Sequence, residues 1–370
     1  MSLSRRKFLS LAGGGVVVAA AASSATFLAT RTPRKALVPW DNAGSYEDPR
    51  LHAMSYALLA PNPHNRQPWI AELVGTDGIT LYRDKQRDLP VTDPFGRQLT
   101  IGMGCFIELM RMAAAEQGYA INTVLMPEGE DGPVVARCTF VAGKGEADPL
   151  FQHVMNRRSH KELFEERLVD SATVQLLTEF TNVHIGGDEQ QKLREIAQGA
   201  WLAEASTPPA WQESIDLLRI GKSEINASPD GIDAGGPMLD TLALLGVFTR
   251  EASSDINNQG SRSVIESTSN AILSAPAFTL NITSGNTRKD QLEAGRQWMR
   301  LNLKTTSLGM ALRPVSQALQ EYDGVKPFRE RVHREFANDG RTVQMLGLLG
   351  YGTLSARTPR WPLETRLMNA

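Results

Sequence analysis

Apolar residues recur at helical spacing in two long runs of the chain. From Gln291 to Met310, Ala294, Trp298, Leu301 and Leu308 fall at i, i+4, i+7 and i+14, which predicts a long amphipathic helix. Gly104 to Gly118, crowded with Ile, Leu, Met and Ala, predicts a second. Shorter helices are expected at 52–59, 149–164, 171–181 and 188–205. Strand-like runs lie between them. Residues 70–84 read as a hairpin around Thr76-Asp77-Gly78, and INTVLMP (121–127), VVARCTFVAG (134–143), AFTLNITS (277–284) and VQMLGLLGYG (343–352) read as further strands. Residues 31–50, with three prolines, read as a linker, and DPFGRQ (93–98) as a loop. Residues 206–262 are polar and broken by Pro208, Pro209, Pro229, Gly231, Gly235 and Gly236. They are expected to be an irregular insertion of the kind that serves as a lid or arm.

The two long helices repeat one another weakly. Gly104 to Gly118 and Gly295 to Gly309 each run from glycine to glycine, with Met110 matched by Leu301 and Met112 by Leu303. Glycine at such places permits close helix packing. The repeat fits a duplicated α+β unit folded as a pseudo-dimer, with a first half over 51–147 and a second over 148–370.

Composition narrows the classes. Of 370 residues, 41% are hydrophobic and 22% charged, which is ordinary for a globular chain with a sizeable core. A net charge of −2 gives no basic surface for nucleic acid. Cys105 and Cys138 stand far apart, with no CxxC and no Cys/His cluster, so they read as small buried residues rather than a disulfide scaffold or zinc site. Residues 1–30 resemble a twin-arginine export signal: Arg5-Arg6, then Phe8-Leu9, then an uncharged stretch to Thr30. Export as a folded protein, to the periplasm or held at the membrane by an uncleaved signal, is the expectation, with the twin-arginine translocase as a passing partner.

Four segments carry candidate chemistry. APNPHNRQPW (60–69) packs hydrogen-bonding side chains between prolines. RRSHK (157–161) can hold a phosphate through Arg157, Arg158, Ser159 and Lys161, or be a solvated basic helix face. SLGMALRPVSQ (307–317) ends a helix at glycine and turns at Pro314, and TPRWPLE (358–364) sets Arg360 in a stiff tail. The histidines form no HxxxH or HExxH pattern, and no G-x-S-x-G or Walker-type loop occurs.

Together the four resemble the nitroreductase family of flavin enzymes over most of residues 50–370. The family's extended APS-x-x-N-x-QPW segment is matched at Ala60, Pro61, Asn65, Gln67, Pro68 and Trp69. Its R-x-S-x-[RK] segment is matched by Arg157, Ser159 and Lys161, and its C-terminal basic residue by Arg360. Its GL…P…G turn is matched partly, at Gly309 and Pro314, with Ser316 and Gln317 where an acidic residue and a glycine are common. Ordinary members carry the Arg-Ser segment before the Asn-Gln-Pro-Trp segment. Here the order is reversed, which resembles the duplicated, single-chain branch, in which two halves mimic a homodimer and FMN lies under a lid.

The resemblance implies a nitroreductase-like α+β fold and one FMN. Asn65 and Gln67 would meet the ring edge between rigid prolines, while His64 is a proton donor or a structural residue and Trp69 belongs to the core. It implies either of two functions. One is an oxidoreductase that passes electrons through FMN to a nitro compound, quinone or similar acceptor. Its donor would be a reduced nicotinamide or, for an exported protein, a membrane quinol or partner protein. The other is a flavin-sequestering protein with the ring covered. A third reading is an interaction module without flavin.

Overall fold

A computed structural model describes residues 30–368. The export signal expected over 1–30 lies, but for Thr30, outside the described residues.

The stretch expected to be a linker is partly helical. Helix α1 (Arg34–Asp41) forms because Trp40 is buried at its end and donates its Nε1 to Thr358 O at 2.8 Å. Helix α2 (Pro49–Ala57) starts inside the same stretch. Asp48 caps it by accepting from Arg50 N, and Pro49 needs no N–H partner in the first turn. The hairpin of β1 (Trp69–Val74) and β2 (Gly78–Arg83) is as expected. The next helix, α3 (Arg97–Glu116), begins seven residues before Gly104. The Asp93 carboxylate accepts from Gln98 N and Leu99 N, so the expected DPFGRQ loop supplies a cap at Asp93 and ends inside the helix at Arg97 and Gln98. With β3 (Tyr119–Leu125) and β4 (Val134–Ala142) the first antiparallel sheet is complete, in the order β1-β2-β4-β3.

The helix expected over 149–164 is replaced by a short 3-10 turn, Phe151–Asn156, and an extended chain beyond it. Helix α4 covers only Ser171–Gln175, followed by β5 (Asn182–His184) and α5 (Gly187–Ala205). Residues 206–262 are not irregular. They hold α6 (Pro208–Asp216), β6 (Leu218–Ile220), α7 (Gly221–Ala227), β7 (Ile232–Ala234), α8 (Pro237–Leu244), α9 (Arg250–Ser254) and the start of α10 (Gln259–Ser274). Pro208, Pro209 and Pro237 occupy helix first turns, where proline starts a helix rather than breaking one. Then come β8 (Ala277–Thr283), α11 (Arg288–Ser307), β9 (Ala311–Pro314), α12 (Lys326–Phe336) and β10 (Thr342–Gly350). The second antiparallel sheet has the order β5-β8-β10-β9.

The fold is α+β, and its halves share one topology. Replacing β1, β2, α3, β3 and β4 by β5, β8, α11, β9 and β10 turns one sheet order into the other. Helices α3 and α11 are both 20 residues long, and Gly104 and Gly295 are the eighth residue of each. They touch reciprocally. A Cβ on Gly104 would fall on Leu292 O and lie 3.0 Å from Gly295 Cα. A Cβ on Gly295 would fall on Ile101 O and lie 2.8 Å from Gly104 Cα. That reciprocity is the signature of a two-fold contact, here within one chain. The halves differ mainly between the first two strands, where the turn at Gly75–Asp77 corresponds to residues 185–276.

The tail beyond β10 crosses back to the first half. Leu367 bridges Ala71 in parallel, and Met368 N donates to Ala71 O at 2.9 Å, covering the edge of β1.

Candidate functional site

The loop between α2 and β1 is tightly wound. A 3-10 turn spans Pro63–Asn65, and His64, Asn65 and Gln67 all have positive φ, at 46°, 50° and 51°. Left-handed backbone costs a non-glycine residue roughly 1–2 kcal/mol, so something must hold three of them. The side chains of Asn62, Asn65 and Gln67 do. Asn62 Oδ1 accepts from Gln67 N at 2.7 Å. Gln67 Nε2 donates to Pro229 O at 2.6 Å, and its Oε1 accepts from Trp361 N at 2.9 Å. Asn65 Nδ2 donates to Pro359 O and Pro229 O, and its Oδ1 accepts from Arg360 Nη1 at 2.8 Å.

The two amides expected at a flavin edge are therefore spent on protein partners. They tie the loop to the tail and to the insertion. The insertion is held there a second time. Asp230 takes ion pairs from Arg66 at 2.9 Å, Arg87 at 2.9 Å and Arg219 at 3.2 Å, and Gly231 N donates to Asn65 O.

Beside this loop lies a cavity of about 80 Å³ between the halves. Pro61 and Asn62 line it from the first half, and Ser159, Pro314 and Ser316 from the second. Gly102 of α3 lets the loop approach, since a Cβ there would stand 3.0 Å from Asn62 Cβ. The structure thus brings together Pro61, Ser159, Pro314 and Ser316 of the expected residues. Asn62 was missed; its only signal was its place after Pro61. A groove of about 230 Å³ is lined by Arg158, His160, Gly309 and Ser355. The extended backbone after Asn156 explains the division: Ser159 faces one space, and its neighbours Arg158 and His160 the other. The reading of RRSHK as a basic helix face falls with the helix.

Arg157 and Arg360 give the site its charge. They are 3% and 2% exposed, and both donate to Leu59 O, at 3.0 and 3.2 Å. Arg360 is further bound to Leu58 O and Ala60 O. The Nε and Nη1 of Arg157 have no partner. Neither arginine, nor Arg158, makes an ion pair among the described residues, and the nearby Asp233 is taken by Lys161 at 2.9 Å. Burial pulls Arg157 down to about 10, with Arg158 adding repulsion, and pulls Arg360 down to about 9, with Arg157 adding repulsion. Arg158 is also pulled down to about 10, by burial and then by Arg357, and its guanidinium lies 4.6 Å from the Trp40 ring centre. Buried charge without a counter-charge is costly, and a bound anion relieves it.

Three expected residues lie apart from this cluster. Lys161 is exposed on its pair with Asp233. Gln317 opens a 3-10 turn and donates to Glu204 Oε1 of α5 at 3.3 Å. His64 does not line the cavity. Its Nδ1 has no partner, and burial lowers its pKa, which favours the neutral ring. Cys105 and Cys138 are free and buried, and burial pushes their thiols up to about 12 and 11. Trp69 is in the core, against Phe106 at 4.9 Å.

Arg157, with Nε and Nη1 free, and the neighbouring Arg158 offer donors of the kind that hold a phosphate, whereas every N–H of Arg360 is spent on protein acceptors and Ser159 faces the other space. The apolar and small polar walls of the cavity suit the edge of a flat ring. The cavity is small beside the ~300–1,000 Å³ of usual ligand pockets, so a whole flavin ring also requires its walls to part.

No family model matches the chain. Over 90 residues it is 37% identical to a Mycobacterium tuberculosis protein provisionally named an NAD(P)H nitroreductase, a match covering 24% of this chain and 26% of that protein. A second, uncharacterised M. tuberculosis protein is 31% identical over 93 residues, 24% of this chain and 27% of its own. The chain spans about a quarter of the length of the curated relatives it matches. Among solved structures, the FMN-dependent nitroreductase NfnB from Mycobacterium smegmatis, in complex with NADPH, is 19% identical. That match covers 58% of this chain and 96% of NfnB, with a TM-score of 0.36. A nitroreductase with bound FMN from Bacteroides fragilis is 11% identical, covering 58% and 95%, with a TM-score of 0.34. Scores this low carry no argument, and the α+β class and repeated topology stand on the strands and helices themselves.

Proposed function

We propose that this chain is a nitroreductase-like flavoprotein that binds one FMN between its two halves and transfers electrons through it to a small organic acceptor. The observation that carries the reading is the pair of buried guanidinium groups, Arg157 and Arg360, that share one carbonyl and have no carboxylate. Arg157, through its free Nε and Nη1, and Arg158 beside it would hold the phosphate, while Arg360 adds positive charge and fixes the Leu58–Ala60 carbonyls. Pro61, Asn62, Pro314 and Ser316 would border the ring and shield it from water. FMN, when bound, supplies the hydride and electron chemistry. The local sequence match to a protein named an NAD(P)H nitroreductase supports a reduced nicotinamide as donor. The shared topology of the halves supports descent from a duplicated unit.

A second reading has its own observation. The insertion is pinned onto the 62–67 loop by Pro229, Asp230 and Gly231, and the cavity is narrow. Both favour a protein that encloses flavin and does not turn it over.

One experiment divides the readings. The absorbance spectrum of purified protein is recorded under anaerobic conditions before and after adding reduced nicotinamide. Flavin bands that bleach support the reductase. Bands that persist favour enclosure or a different donor, such as a quinol. Absent bands defeat both. Export through the twin-arginine route belongs to the same proposal. Changing Arg5 and Arg6 to Lys should retain the protein in the cytoplasm, and normal export of that variant would remove it.

A further inference from the structure

The insertion carries an apolar surface that the fold leaves bare. Helix α8 ends at Leu244, and Leu245 to Val247 turn the chain toward α9. Met238 is 71% exposed, Leu244 74%, Leu245 70% and Val247 61%. From Pro237 to Thr249 the only charged residue is Asp240, and it is buried. Its carboxylate faces inward, toward Gly236 N at 3.2 Å, Lys222 N at 3.4 Å and the Arg31 guanidinium at 3.6 Å. The one charged group on this segment is therefore turned into the protein. Clustered apolar exposure of this kind marks a contact surface rather than ordinary scatter.

A second observation says what covers it. The first described residue, Thr30, accepts at its carbonyl from Lys222 Nζ at 2.7 Å. Arg31 shares with Ala243, Leu244 and Phe248 the walls of a recess of about 370 Å³. The chain thus enters the described body against α8. Residues 8–29, which precede that point, hold no charged side chain and follow Arg5, Arg6 and Lys7. A run of that length is enough for the hydrocarbon core of a bilayer, which takes about 20 residues. The described chain therefore begins beside the apolar tip.

We propose that the tip formed by Met238, Leu244, Leu245 and Val247 rests on a phospholipid bilayer, on the face of the body from which residues 8–29 continue. The tip is too short to span. It would lie in the interfacial layer as a monotopic contact, and it would fix the orientation of the body on the membrane. The inference is independent of the flavin reading.

The test uses the full-length chain. The native cysteines are both buried, so an introduced one can be labelled selectively. Leu245→Cys and Met238→Cys carry an environment-sensitive nitrobenzoxadiazole label, with Val124→Cys on the exposed side of β3 as the reference. Spectra are taken before and after adding vesicles of three parts phosphatidylcholine to one part phosphatidylglycerol. Brominated lipid is then used as quencher. The expected result is a blue shift at 245 and 238 only with vesicles, and quenching at least threefold greater there than at 124. No shift at 245 in vesicle-bound protein would overturn the proposal. So would a blue shift present without vesicles: independent of concentration, it would mean that residues 8–29 cover the tip; rising with concentration, that a second copy does. Equal quenching at 124 would also defeat it.

Discussion

Replacing Arg157 with Met should make the flavin-free protein more stable and at the same time weaken its hold on phosphate. At pH 7 this guanidinium is charged in both the folded and the unfolded chain. A value pulled from 12.5 to about 10 means that keeping the charge in the fold costs about 3 kcal/mol. One hydrogen bond to Leu59 O offsets about 1 kcal/mol of that, and Leu59 O retains its bond from Arg360 when Arg157 is gone. Met fills a similar linear volume and leaves no donor orphaned. The net expectation is a gain of about 2 kcal/mol for Arg157→Met. With an unfolding entropy of about 2 cal/mol/K per residue over 370 residues, that raises Tm by roughly 2–3 °C. Flavin-stripped wild type and variant would be compared by urea denaturation at pH 7, and FMN affinity measured by quenching of flavin fluorescence. The Kd should rise by about tenfold or more, as one charge-assisted contact is lost. FMN at about 100 times its Kd should stabilise the wild type by about 2.7 kcal/mol, and the variant far less at the same concentration. A variant that is less stable without flavin, or that binds FMN as before, would refute the reasoning that this charge is kept for an anion.

Three further outcomes are expected. Burial raises the Glu204 carboxyl from 4.5 to about 7 in the fold, so its contribution is complete below about pH 4.5 and is lost as pH rises through 7. Glu204→Gln should therefore be about 3 kcal/mol more stable than wild type at pH 8 and nearly equal to it at pH 4.5, and a pH-independent difference in urea midpoints would contradict this. Gly104→Ala should cost about 3 kcal/mol by forcing α3 from α11, and Gly295→Ala a similar amount, whereas Gly118, with open space where a Cβ would stand, should lose only about 1 kcal/mol on change to Ala from its positive φ; thermal denaturation checks the ranking. Gln67→Ala removes the bonds to Pro229 O and Trp361 N, and trypsin should then cleave the tail at Arg357 and Arg366 at least tenfold faster with circular dichroism unchanged; equal cleavage rates would mean that the tail is held elsewhere.

Local pattern and the fold agree best where a segment's neighbours are also local. The β1–β2 hairpin and the α3 and α11 helices were legible because turn chemistry and helical spacing act over a few residues. The glycine repeat was legible too, as a sign of close helix packing between two related halves; the reciprocal register that puts Gly104 on Gly295 was not. Residues 206–262 were misread because Pro208 and Pro209 look alike in sequence whether they stop a helix or start one. At the site, Arg157, Ser159, Pro314 and Arg360 were named before the fold was known. Asn65 and Gln67, expected at a ring edge, bond to peptide groups and to Arg360. A primary amide can serve a ring edge or a peptide carbonyl equally well, and Pro229 and Trp361 lie 162 and 294 residues away from Gln67. Asp230 gave no sign in sequence of holding three arginines.

The reciprocal contact of Gly104 with Gly295 also bears on what this architecture is free to become. Two separate identical subunits meeting at such an axis must accept every substitution twice, on both sides at once. Joining the halves in one polypeptide lifts that constraint. A stretch such as 185–276 can then be added at one strand connection while its counterpart stays a turn at Gly75–Asp77. A cation such as Arg157 can be committed on one side without burdening the other with a second uncompensated charge. The glycine crossing keeps the symmetric part fixed, and the rest of the molecule is released to specialise a single site.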